Sequence, residues 1–148
     1  MSPTEVMRLI SGAFSGVPRP AYTLADAAVA DEWGKESARF AQHDRTWEEI
    51  PDEQIARSTA AFCFLPLTSW SYYIPAYMAW TVRHIHDYRT ETPTHLVYTL
   101  TEEHACDFRD TLTVQQREAV LAFLDLWRAE CPDWTTEAEC SMWRPHAC

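Results

Sequence analysis

Basic residues are scarce in this chain. Twelve Lys and Arg stand against 22 Asp and Glu, giving a formal charge of −10 over 148 residues. Nucleic acid is therefore not an expected partner, because a phosphate binder needs a basic stripe. Glycine is scarcer still: Gly12, Gly16 and Gly34 are the only three, and none sits in a phosphate-cradling pattern. No apolar run reaches the roughly 18 residues of a membrane span. Met1-Ser2-Pro3-Thr4-Glu5 lacks the basic and apolar stretches of a secretory leader, so a cytoplasmic location is expected. A nucleophile elbow, an H-E-x-x-H zinc motif and a zinc-deaminase signature are all missing. There is no internal repeat, low-complexity tract or interdomain linker.

What is present is core material. Apolar residues make up 47% of the chain, with seven Trp, six Tyr and six Phe, enough to offset the entropy of ordering one domain over residues 1–148. The five Cys are an odd number, and Cys63 lies in the apolar run Ala60–Leu65, where a buried thiol is expected.

Helical signals dominate. Ser2, Pro3 and Glu5 form a capping box ahead of an apolar stripe of Val6, Leu9, Ile10, Ala13 and Phe14, and Gly16 and Pro18 close it. A second helix is expected from Asp26 to Phe40 with Ala27, Ala30 and Trp33 inward, although Gly34 weakens it. Pro51 opens a short helix through Ala61. Along Ser69–Tyr88, one stripe holds Ile74, Met78, Val82 and Ile85, and an adjacent one holds Tyr73, Tyr77, Trp80, His84 and Tyr88. Together they cover about 200° of a helix, as expected of the central helix of a bundle. Pro75 must kink that helix or lie in its first turn. Thr113 and Gln116 form another capping box, followed by Ala119, Val120, Phe123, Leu124 and Trp127 on one face. Only His95–Leu100 reads as a strand, and one strand makes no sheet. The expected fold is mainly α: a compact single-domain bundle of five or so helices with at most one short strand or hairpin.

The phrase Phe64-Leu65-Pro66, Trp70, Tyr72-Tyr73-Ile74-Pro75-Ala76-Tyr77-Met78 resembles the signature of an uncharacterised family of small bacterial proteins. Trp47-Glu48-Glu49-Ile50 upstream, and Phe108, Gln115 or Gln116 and Val120–Trp127 downstream, extend the likeness. Leu67, Thr68, Ser69 and Trp70 depart from the pattern. The resemblance implies no catalytic residue or cofactor, and its members are similar in size to immunity proteins of bacterial toxin systems. Physically the phrase is a buried aromatic elbow whose Tyr hydroxyls need partners.

Charge supplies the functional expectation. Asp26–Glu53 holds nine acids against Lys35, Arg39 and Arg45, and Glu102–Asp110 holds four acids against Arg109. Two short segments thus carry nearly all the excess, and a concentrated field steers a basic partner. The expectation is an acidic protein-binding module for a basic protein, of the immunity or antitoxin type. Its contact residues are Asp44, Trp47, Glu48, Glu49, Asp52, Glu53, Glu102 and Glu103, with Trp47 as aromatic anchor unless it belongs to the core. The alternatives are a small hydrolase or metal enzyme built on His84 or His104, and a stand-alone adaptor. No metal or other cofactor is expected. His84 and His86 point about 200° apart on a helix, and the series Cys131, Cys140, His146 and Cys148 matches no zinc spacing.

Overall fold

The computed structural model describes residues 1–87, 89–133 and 137–145. Its α-helices are α1 (Pro3–Ala13), α2 (Leu24–Asp31), α3 (Asp52–Arg57), α4 (Leu67–Arg83), α5 (Thr92–Thr101), α6 (Ala105–Asp110), α7 (Val114–Glu130) and α8 (Glu137–Cys140). Short 3₁₀ turns occupy Glu36–Ala38, Trp47–Glu49, Ala61–Cys63 and Ser141–Trp143, and no strand occurs among the described residues. The mainly α expectation holds, with more and shorter helices than five.

The capping boxes start their helices as their spacing demands. Ser2 Oγ accepts from Glu5 N at 3.2 Å while Glu5 returns the bond to Ser2 N at 2.9 Å. Thr113 and Gln116 repeat the exchange at 3.1 and 3.0 Å. α1 lies against α7 and α4, and α5 packs on α4. The core sits among these four helices, with Val6, Ile10 and Phe14 meeting Val120, Phe123 and Trp127 around α4. Leu9, placed on the inward stripe by spacing, keeps 36% of its surface exposed.

α4 is buried all round from Tyr72 to Val82, so Ala76 and Ala79 are close-packing contacts. Pro75 lies inside it. The Tyr hydroxyls find the partners that burial requires: Tyr73 Oη accepts from Leu24 N at 2.9 Å, Tyr77 donates to Ser58 O at 2.7 Å, and Tyr72 donates to Asp44 Oδ2 at 2.6 Å. Trp70 Nε1 reaches back to Leu65 O at 3.1 Å, closing the elbow at Pro66. Burial pushes the phenol of Tyr77, and of Tyr72 beside a carboxylate, well above its ordinary range.

Three local expectations need correction. His95–Leu100 is helical, within α5: Pro93, Leu96, Val97 and Leu100 share a buried face, and Thr99 Oγ1 satisfies itself on His95 O at 2.9 Å. The second helix stops at Asp31, because Trp33 (φ 58°) and Gly34 (φ 85°) turn into the left-handed region. Trp33 consequently points outward at 93% exposure instead of into the core. Cys63 is exposed, and among the described residues the buried cysteine is Cys140. Tyr88, His146 and Cys148 lie outside the described residues.

Candidate functional site

The eight residues expected to meet a partner divide by burial. Trp47 is 3% exposed, with its indole N–H donating to Phe14 O at 2.9 Å. It is core, so it offers nothing to a partner.

Asp44 is buried too, at the centre of the most organised polar group in the molecule. Its carboxylate accepts from Tyr72 Oη at 2.6 Å, Gln42 Nε2 at 3.1 Å and Arg19 Nε at 3.3 Å. Gln42 in turn accepts from Ala25 N at 2.8 Å. Leu24 and Ala25 open α2, so Tyr73 and Gln42 satisfy amides that a helix start leaves without internal partners. A charge is seldom buried unless paired and hydrogen-bonded, and here three donors do that while fastening residues 19–25 and 42–44 to α4.

The remaining six stand outward. Glu48, Glu49, Asp52, Glu53 and Glu103 are exposed, and Glu102 is half-buried. Glu49 is partly committed, accepting from Arg45 N at 3.0 Å and Thr46 N at 3.2 Å. Asp52 is committed as well, pairing with Arg83 at 2.7 Å and standing 3.6 Å from His84 Nε2. Glu48 and Glu53 make no ion pair among the described residues and form the free edge of the patch. α5 starts where Thr92 Oγ1 bonds Ile55 O of α3 at 3.3 Å. Its ten residues then carry Glu102 and Glu103 away by about 15 Å at 1.5 Å per residue. The charge is arranged as two patches.

His84 lies against Trp80, with ring centroids 4.7 Å apart, and stands 3.4 Å from Asp87. His84 is half-buried and lines no described cleft. His104 is exposed at the start of α6. Among the described residues no three of His, Cys, Asp and Glu are grouped as a metal site requires.

Three clefts of about 300 Å³ or more among the described residues were not foreseen from sequence. The largest, about 440 Å³, lies between α2 and the segment ending in Ala61, and it mixes Asp31 and Glu32 with Arg39 and Arg57. Its cations are already engaged. Arg39 pairs with Asp26 and with Glu36, and holds both carboxyls below their usual range; Arg57 stacks on Phe40 at 4.2 Å. A second cleft of about 350 Å³ brings Cys63, His95, Tyr98 and Glu102 together. No hydrogen bond joins Cys63 to His95 among the described residues. The third, about 300 Å³, runs between α7 and the tail and gathers Arg109, Arg117 and Arg144 over Leu121, Met142 and Trp143. A helical reading of α5 would have turned Thr94, Tyr98 and Glu102 outward. Val114, Arg117 and Leu121 likewise fall outside the buried stripe of α7.

No curated protein and no solved structure matches the chain significantly. A family model does match, over residues 2–144, which takes in every helix just described, the aromatic elbow of α4 and the first two clefts. The chain belongs to that family, the family of unknown function DUF6714.

Proposed function

We propose that this chain is a protein-binding module that recognises a basic protein, in its most specific form an immunity protein that neutralises a toxin. One observation carries the reading. Seven of the nine carboxylates between Asp26 and Glu53 stand exposed: Asp31, Glu32, Glu36, Glu48, Glu49, Asp52 and Glu53. Only Asp44 is turned into the core. The same segment displays Trp33 at 93% exposure, and a Trp amid like charges supplies the aromatic anchor that the burial of Trp47 removes. Glu48 and Glu53, which make no ion pair among the described residues, lend the surface field for steering.

The test uses the product of the neighbouring gene, which for an immunity protein is the toxin. Binding is measured by surface plasmon resonance across a salt series, for the wild type and for Glu48→Lys/Glu53→Lys. Association slows with salt, since the Debye length falls from about 10 Å at 0.1 M to about 3 Å at 1 M. It slows again with the double reversal, while the melting temperature stays put. Affinity indifferent to both salt and reversal refutes the acidic-surface reading.

A further inference from the structure

We propose that the groove between α7 and the tail is a binding site for a small apolar carboxylate. Arg117 carries the argument. It is half-buried, and its Nε donates to the Arg109 carbonyl at 3.1 Å, which fixes the plane of the guanidinium. Its neighbours are already matched: Arg109 pairs with Asp110 at 3.0 Å, and Arg144 with Asp125 and Glu137 at 2.8 Å each. Among the described residues no carboxylate stands within ion-pair distance of Arg117. The two Nη groups therefore form an oriented, partly desolvated fork with its geometric complement missing. A carboxylate fits such a fork in a bidentate manner.

The surroundings select among anions. Val114 and Leu121 of α7 face Met142 and Trp143 of the tail across the groove. Such walls receive hydrocarbon and leave the hydration of an inorganic ion unreplaced. Asp110 and Glu118 also line the groove, so its net charge is small and a dianion is disfavoured against a monoanion. Val114 is the first residue of a 17-residue helix, whose positive end adds a further term for negative charge. The volume of about 300 Å³ matches the smallest ligand clefts, which suits a ring or short chain bearing one carboxylate. The groove touches the second acidic segment only at Arg109 and Asp110; Arg117, Val114, Leu121, Met142 and Trp143 belong to neither segment, and the site does not rest on the partner-binding reading.

The probe is phenylpropanoate, titrated into the full chain and followed by amide NMR shifts, with phenylpropanol and inorganic phosphate as controls. Phenylpropanoate is expected to shift the amides of Val114, Leu121 and Met142 together with the indole N–H of Trp143. Arg117→Gln should weaken it by about tenfold or more, the value of a charge-assisted bond, and the alcohol should bind weaker by the same factor. Val114→Glu is the second variant. Val114 is 67% exposed, so the fold tolerates the change, and the new carboxylate at the mouth of the groove should also abolish the shifts. Equal binding of acid and alcohol overturns the proposal, as does phosphate producing the same shifts at the same concentration. Phenylpropanoate binding that survives both substitutions overturns it too.

Discussion

Removing the Asp44 carboxylate tests whether a buried charge organises the front of the fold. Its side chain has no exposed surface and receives three donors, from Tyr72, Gln42 and Arg19. Asp44→Ala leaves the buried Tyr72 hydroxyl and the half-buried Gln42 amide without their acceptor. Arg19 keeps 37% of its side-chain surface exposed, so the cost is chiefly that of the donors left unsatisfied, about 1–3 kcal/mol for each buried one. Tyr72→Phe removes a single bond to a charged group and should cost about 1.5–3 kcal/mol. In the double variant the Tyr72 hydroxyl is gone, so its loss is not counted twice. The two costs should then fall short of additivity by about 1–2 kcal/mol, within the range seen for contacting residues. The assay is urea unfolding of the four proteins at constant m, where only the midpoint moves. Each kcal/mol should also lower the melting temperature by about 2–4 °C for a chain of this size. If the two single costs add to within about 0.5 kcal/mol, the pair is not coupled and the network does not hold α2 in the way described.

Two further outcomes follow from the same structure. Trp47→Ala should cost about 3–5 kcal/mol because its ring fills the core, whereas Trp33→Asn should leave stability unchanged or raise it, since Asn tolerates a positive φ better than Trp; chemical denaturation of both variants decides. The Asp26 carboxyl is held below its ordinary 3.8, first by the hydrogen bond from Arg39 and then by the Thr23 backbone. A lowered folded value stabilises the fold above the unfolded value and loses that contribution as pH falls through the folded one. The melting-temperature gap between wild type and Asp26→Asn should therefore be full near neutrality and close as pH drops below 3.8.

The helices that announced themselves did so through local chemistry. Ser2 with Glu5 and Thr113 with Gln116 satisfy each other within four residues, so the start of α1 and of α7 is written in adjacent letters. α4 is legible for a different reason: two adjacent apolar stripes cover about 200° of it, and a helix with so wide an apolar face sits at the centre of a bundle. α5 was misread because Val97, Tyr98 and Thr99 have strand propensity, yet burial of Leu96, Val97 and Leu100 against α4 outweighs it. The side chain of Thr99 closes on the helix's own carbonyl. The burial of Asp44 and Trp47 is not legible in the sequence, because the groups that fix them, Tyr72 and Phe14, are distant in the chain and no spacing rule joins them. The tail groove is legible only in part. Arg117 and Leu121 share a face of α7, but the opposite wall comes from Met142 and Trp143, and no spacing rule joins those to α7.

The burial of α4 on every side between Tyr72 and Val82 has a kinetic corollary. Water and hydroxide reach those amides only when the whole bundle opens, so their deuterium exchange should report the global free energy of unfolding directly. Position 75 is silent in that experiment, since proline carries no amide hydrogen. Two runs of slow amides on either side of one blank would thus serve as a stability gauge within the native protein, readable without any denaturant.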